Sequence, residues 1–225
     1  MLTNRFDGIG MTSTRTRTRM IDRLREQGIR DEVVLAAMNA VPRHIFVDEA
    51  LAIRAYEDTP LPIGSGQTIS QPWVVARMCE LARHGRELDS VLEVGTGCGY
   101  QTAVLAQIAK TVYTVERIGS LVNKARRNLQ ALKVGNVRLK HGDGGSDLGE
   151  DLLVDAIIVA AGATHLPATL QKHLKPGGRI VVPLASRDEG ERGVQRLTVF
   201  ESTPSGLRET ALDAVRFVPL LAGRA

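Results

Sequence analysis

Apolar residues recur along this chain with two different periods, and the change of period divides it. Met20, Ile21 and Leu24 mark a short helix that Gly28 stops. Val33, Val34, Ala37, Met38 and Val41 share one face of a second helix, with Asp31 placed to cap it and Pro42 to end it. Residues 43–55 read as a short helix plus loop. The stretch Asp58-Thr-Pro-Leu-Pro-Ile-Gly-Ser-Gly66 is too rich in proline and glycine for regular structure. Val74, Val75, Met78, Leu81 and Ala82 form the next helical stripe.

From Ser90 the pattern changes to alternating strand-like and helix-like segments. It predicts strands at 90–94, 111–116, 136–140, 154–160 and 178–184. It predicts helices at 99–109, 118–132 and 165–174, the last stopped by Lys175-Pro-Gly-Gly178. Such alternation requires right-handed crossovers and a parallel sheet covered on both faces. Segments 194–200 and 210–218 flank the turn Pro204-Ser-Gly206 and read as an antiparallel pair at the sheet edge. The expected fold is α/β, Rossmann-like, a doubly wound and mostly parallel sheet with an antiparallel C-terminal edge. An N-terminal helical extension precedes it. Residues 20–225 are expected to form one domain, with helices and a substrate-side loop at 20–85 and an α/β core at 86–225.

Composition narrows the partners. The 225 residues, 43% hydrophobic and 24% charged, suit one globular core. Of the net charge of +4, residues 1–19 hold +3, from Arg5, Arg15, Arg17 and Arg19 against Asp7. The remaining body is near neutral and lacks the basic footprint of a nucleic-acid binder. The Thr-Arg repeat at 14–19 shows no amphipathic period, so 1–19 are expected to be a flexible lead-in. No apolar run approaches the roughly 20 residues that span a bilayer. No signal-peptide segment follows the first methionine, so a cytoplasmic protein is expected, acting as a monomer. Cys79 and Cys98 read as reduced, buried small hydrophobes. His44, His84, His141, His165 and His173 have no ligand spacing, and no metal site is expected.

The chemistry centres on Val91-Leu-Glu-Val-Gly-Thr-Gly-Cys-Gly99. A β-branched run ends in glycines that let the backbone turn tightly and approach a ligand. A dinucleotide fingerprint would need its third glycine at position 100, which is Tyr100. The form E-x-G-x-G-x-G instead resembles the first motif of S-adenosylmethionine-dependent methyltransferases of class I. Glu93, Gly95, Gly97 and Gly99 are therefore cofactor candidates. In an open parallel sheet ligands bind beyond the carboxyl ends of the strands. Glu116 ends the second strand, where a carboxylate suits two ribose hydroxyls. Arg117 follows it and is placed to cover an adenine face. The third strand ends in His141-Gly-Asp-Gly144, where Asp143 is placed to accept from an adenine amino group beside Gly144.

The acceptor is read by what is missing and what is present. After the fourth strand stands Ala160-Ala-Gly-Ala163, without the Asp/Asn-Pro-Pro-aromatic motif of enzymes that methylate amines on bases. No Pro-Cys nucleophile and no acid cluster with metal-ligand spacing appears. The loop Leu61-Pro-Ile-Gly-Ser-Gly-Gln-Thr-Ile-Ser-Gln-Pro72 places Ser70 as an N-cap before a helix. A helix N-terminus attracts a carboxylate, and Thr68 and Ser70 add hydroxyls. A carboxylate acceptor needs no general base, being ionised at neutral pH. Ser70 is expected to orient it without forming a covalent intermediate.

Asp58 to Pro72, with Val41-Pro-Arg-His-Ile-Phe-Val47, Leu92 to Tyr100, Gly142-Asp-Gly144, Leu174-Lys-Pro-Gly-Gly178 and Val215-Arg-Phe-Val-Pro-Leu220, resembles the protein-L-isoaspartate O-methyltransferase family from about Met20 to Leu220. The resemblance implies methyl esterification of the free carboxyl of L-isoaspartyl residues in aged proteins. The ester then collapses to a succinimide whose hydrolysis returns some normal aspartate. The cofactor would be S-adenosyl-L-methionine, leaving S-adenosyl-L-homocysteine. The same resemblance marks Ser70 as the active-site residue. It places Thr68, Gly95, Glu116, Asp143 and Gly144 around the cofactor, and assigns Ile63, Gln67 and Val218 to the substrate side. Two departures stand out. Ala161-Gly-Ala163 replaces the Ala-Ala-Pro of many relatives, which predicts a looser loop, and Gly144-Gly-Ser-Asp-Leu148 lacks their aromatic residue. Two other readings stay open: an O-methyltransferase of a small carboxylic acid, or a cofactor-binding accessory protein without catalysis.

Overall fold

A computed structural model describes residues 8–146, 148, 149, 151–186 and 193–225. Helix α1 (Thr14–Glu26) begins inside the segment expected to be flexible. Met20, Ile21 and Leu24 are buried, and a helix nucleated there extends back to the Ser13 cap, whose side chain accepts from Thr16 N–H. Arg23 Nη2 ties it to the core by donating to the Tyr56 carbonyl at 2.7 Å. The lead-in expectation therefore fails for 14–19; residues 1–7 lie outside the described residues. Helix α2 (Glu32–Ala40) has the expected cap, Asp31 accepting from Val33 and Val34 N–H.

The proline-rich loop also proves regular. β1 (Leu61–Gly64) and β2 (Gln67–Ile69) pair antiparallel, Leu61 opposite Ile69 and Pro62 opposite Thr68. Ser65 at φ 53° and Gly66 at φ 68° supply the left-handed pair that a two-residue hairpin turn demands. A two-stranded ribbon is all edge, so Pro62 costs it little. Helix α3 (Pro72–Arg83) follows.

The core alternates as expected: β3 (Leu88–Val94), α4 (Tyr100–Ile108), β4 (Ala109–Glu116), α5 (Gly119–Ala131), β5 (Val137–His141), β6 (Val154–Val159), α6 (Ala168–Gln171), β7 (Leu174–Ala185), β8 (Gln195–Thr203) and β9 (Gly206–Val215). The sheet order is β5-β4-β3-β6-β7-β8-β9. The first five are mutually parallel, while β7–β8 and β8–β9 pair antiparallel. The chain starts the sheet at β3, builds outward through β4 and β5, then returns to the other side of β3 with β6. That reversal leaves a crevice at the strands' carboxyl ends.

Alternate strand residues face opposite layers, as the pleat requires. Val91, Val112, Ala156, Ile158 and Val181 pack with α1 to α5. Leu92, Val94, Ile157, Val159, Ile180 and Val182 pack with Leu170 of α6 and with Leu148, Leu152 and Leu166. The helix expected at 165–174 shrinks to the single turn of α6. The His173 carbonyl accepts from Val154 N–H at 2.8 Å, drawing the chain into the sheet by Leu174. No helix among the described residues is long and apolar enough to cross a membrane.

Candidate active site

The turn after β3 folds back on β4. Gly95 N–H donates to the Val115 carbonyl at 2.9 Å. Gly97 N–H donates to Glu116 Oε2 at 2.8 Å, and Ile118 N–H to Glu116 Oε1 at 2.9 Å. The buried Glu116 carboxylate is thus held in place by one N–H on each oxygen, with lone pairs left for two further donors. Gly97 lies at φ 56°, and a Cβ there would stand 3.2 Å from Ile63 Cδ1 of the hairpin. The bare position 97 thus lets the Ile63 methyl of the hairpin rest close against the turn.

A cleft opens at this point. It brings together Ile63, Gln67, Thr68, Ser70, Gly95, Gly97, Glu116, Arg117, Gly144 and Val218, all singled out from sequence. Three others stand apart from the lining. Glu93 is fully buried behind the turn, accepting from Thr102 Oγ1 at 2.5 Å and from Thr114 Oγ1 at 2.7 Å. Burial, the largest influence, pushes its carboxyl up to about 7 against those two donors. Gly99 faces α5, where a Cβ would stand 3.3 Å from Ala125 Cβ. Asp143 sits between two lining glycines, Gly142 and Gly144, with its oxygens taken by Gly145 N–H at 2.8 Å and Gly223 N–H at 2.7 Å. Arg117 lines the cleft with its guanidinium turned to the C-terminal segment, Nε donating to the Gly223 carbonyl at 2.9 Å.

Ser70 is not the cap of α3. Gln71 holds the N-cap position, and Asp58 reaches across to accept from Trp73 N–H at 2.9 Å. That carboxylate already answers the helix end expected to draw the acceptor. The Ser70 hydroxyl makes no hydrogen bond to another described residue and lines the cleft. An adjoining groove shares Thr68, Ser70, Ala160 and Val218 with the cleft and runs on past Pro60, Trp73 and Phe217. Trp73 thus borders open space at the start of α3.

The loop after β6 is tied down, contrary to expectation. Gly162 N–H donates to the Val218 carbonyl at 2.8 Å, and Leu220 N–H to the Gly162 carbonyl at 2.7 Å. Ala163 bridges to Pro183 and Ala185. A Cβ at Gly162 would overlap the Gln195 amide, which bonds both the N–H and the carbonyl of Phe217 beside this clasp. Segment 218–221 lines the cleft as well; sequence reasoning found only Val218, since an irregular tail carries no period to read. Tyr100 and Cys98 were missed as lining residues too, although both adjoin the glycine turn. Burial pushes the Cys98 thiol up to about 11, which keeps it protonated and inert. Among the described residues no group of three or more His, Cys, Asp and Glu side chains could hold a metal.

A glycine turn at the switch point, a fixed acid ending the neighbouring strand and bare strand ends facing a cleft define a class I methyltransferase site. A family model described as Protein-L-isoaspartate(D-aspartate) O-methyltransferase (PCMT) matches residues 15–225. The chain belongs to that family. It is 61% identical over 217 residues to the protein-L-isoaspartate O-methyltransferase of Dechloromonas aromatica, covering 96% of this chain and 98% of that one. It is 55% identical over 218 residues to that of Methylobacillus flagellatus, covering 97% of each. A solved protein-L-isoaspartate O-methyltransferase superposes with TM-score 0.79 at 27% identity, covering 90% of this chain and 65% of the other. A Plasmodium falciparum chain described as a beta-aspartate methyltransferase, in complex with S-adenosyl-L-homocysteine, superposes with TM-score 0.76 at 27% identity, covering 91% and 98%.

Proposed function

We propose that this protein esterifies the free carboxyl of L-isoaspartyl residues in damaged proteins and peptides, using S-adenosylmethionine. One observation carries the reading: Thr68 and Ser70 border both the cleft and the adjoining groove, so a donor in one meets an acceptor in the other across their hydroxyls. When bound, S-adenosylmethionine supplies an electrophilic methyl group on a sulfonium. Glu116 fits its ribose hydroxyls, since each carboxylate oxygen spends only one backbone bond. Gly97 and Gly144 keep the wall to main chain there. The acceptor carboxylate enters ionised, so no residue has to remove a proton. Ser70, whose hydroxyl makes no hydrogen bond among the described residues, orients the attacking oxygen, and alignment of this kind is most of what a direct displacement requires. The thiols of Cys79 and Cys98 stay protonated in this scheme, and the chain acts on its substrate as a monomer.

Incubation with methyl-labelled S-adenosylmethionine and an isoaspartyl peptide, beside its aspartyl twin, tests this. Label is expected on the isoaspartyl peptide alone, and Ser70→Ala is expected to lower turnover at least tenfold with little change in S-adenosylhomocysteine affinity. Equal labelling of both peptides, or of neither, refutes the assignment. Labelling of free small acids and not of peptides favours the small-acid reading, against which the length of the groove past Trp73 and Phe217 speaks.

A further inference from the structure

Arg43 lies in a 3₁₀ turn (Arg43–Phe46) and is completely buried. Its Nε donates to the Ala55 carbonyl at 2.8 Å and its Nη2 to the Ser70 carbonyl at 2.7 Å. The guanidinium carbon stands 4.7 Å from the centroid of the Tyr100 ring, which is among the residues lining the cleft and meets Phe46 edge-on at 5.5 Å. Both of these acceptors are carbonyls and no carboxylate among the described residues pairs with the guanidinium, while Asp58 acts on it only as a more distant charge. An unpaired buried cation is an expensive way to join two carbonyls, since a neutral amide would desolvate far more easily. What the guanidinium adds is a rigid planar fork whose two bonds fix direction as well as distance, backed by an aromatic face.

We propose that Arg43 is a positioning residue for methyl transfer, holding the Ser70 peptide so that the Ser70 hydroxyl keeps one direction toward the cleft. The proposal rests on the functional reading above. The far end of the hairpin is held in the same manner, Lys124 Nζ donating to the Ile63 carbonyl at 3.0 Å. The β1–β2 ladder ends at Ile69, paired with Leu61, so Arg43 is what holds the Ser70 peptide just beyond the ladder. A misplacement of about 1 Å at an aligned acceptor costs on the order of 100-fold in rate.

Arg43→Lys and Arg43→Gln test it. Titration with S-adenosylhomocysteine by calorimetry gives the folded fraction and the affinity; full stoichiometry and a Kd within about twofold of wild type are expected. Turnover of an isoaspartyl peptide is expected to fall about 10- to 100-fold, with KM within about threefold. In a Ser70→Ala background, Arg43→Lys should cost less than about twofold more, because the group it positions is gone. Amide hydrogen exchange of 67–71 in the free protein should quicken in both Arg43 variants while that of β3 does not. The proposal is overturned by wild-type turnover in Arg43→Lys, by losses that multiply in full with Ser70→Ala, or by unchanged exchange at 67–71. Variants that bind S-adenosylhomocysteine below full stoichiometry assign Arg43 to folding alone and overturn it equally. Failure of the functional reading shows separately, as a wild-type enzyme that labels no isoaspartyl peptide, and the exchange measurement still decides the role of Arg43.

Discussion

Glu93 should make folding stability depend on pH through one side chain. It is fully buried, its Oε2 accepts from Thr102 and Thr114, and its Oε1 finds no partner among the described residues. Burial dominates and raises its carboxyl from 4.5 to about 7, with the nearby Glu116 charge adding to the rise. The folded state therefore binds a proton that the unfolded chain releases between about pH 4.5 and 7. Stability from this group is fully present below pH 4.5 and declines as pH rises through 7. A shift of that size corresponds to about 3 kcal/mol. Glu93→Gln mimics the protonated form at every pH and removes the decline. Urea unfolding of wild type and Glu93→Gln at pH 5 and pH 8 isolates Glu93 and its coupling to Glu116, because titrating groups not coupled to Glu93 cancel in the difference. The variant should gain about 2–3 kcal/mol relative to wild type between the two pH values, the unfolded carboxyl being already largely ionised at pH 5. An equal difference at both would refute the reasoning, since Glu93 would then share one protonation behaviour folded and unfolded.

Further outcomes follow from the site. Gly144→Ala would push a methyl into Val94 Cγ1 and to 3.3 Å from Val115 Cγ1. A loss of about 1–3 kcal/mol in urea unfolding is expected. Glu116→Gln must turn its NH₂ toward either Gly97 N–H or Ile118 N–H; calorimetry should show S-adenosylhomocysteine affinity down by about tenfold or more, or about 1.5–3 kcal/mol. Asp58→Ala removes the acceptor of Trp73 N–H and the bond from Gln27 Nε2, and should lower stability by about 1 kcal/mol by urea midpoint.

The strands and most helices were legible because burial on one face writes a period into the residues, as at Val91, Val112 and Ile158. The glycine turn and Glu116 were legible because both sit at strand ends, which topology alone brings together. What stayed hidden lacked a period. The Thr-Arg segment is helical through its Ser13 cap and the buried turn after it. The hairpin at 61–69 reads as loop because Pro62 and Gly64 occupy its exposed positions. Glu93 and Gly99 belong to the motif but serve packing behind it, and no spacing rule separates a residue that touches a ligand from one that supports the turn.

Local chemistry was enough to determine the family, the Rossmann-like core and which strand ends surround the cleft, because each is encoded in residues close together along the chain. The capping of α3 by Asp58, the clasp between Gly162 and 218–220, and the bridge from Arg43 to Ser70 depend on contacts between residues far apart in sequence. A side chain's partner is chosen by where the folded backbone brings open donors and acceptors, and that geometry exists only once the sheet and its helices have packed.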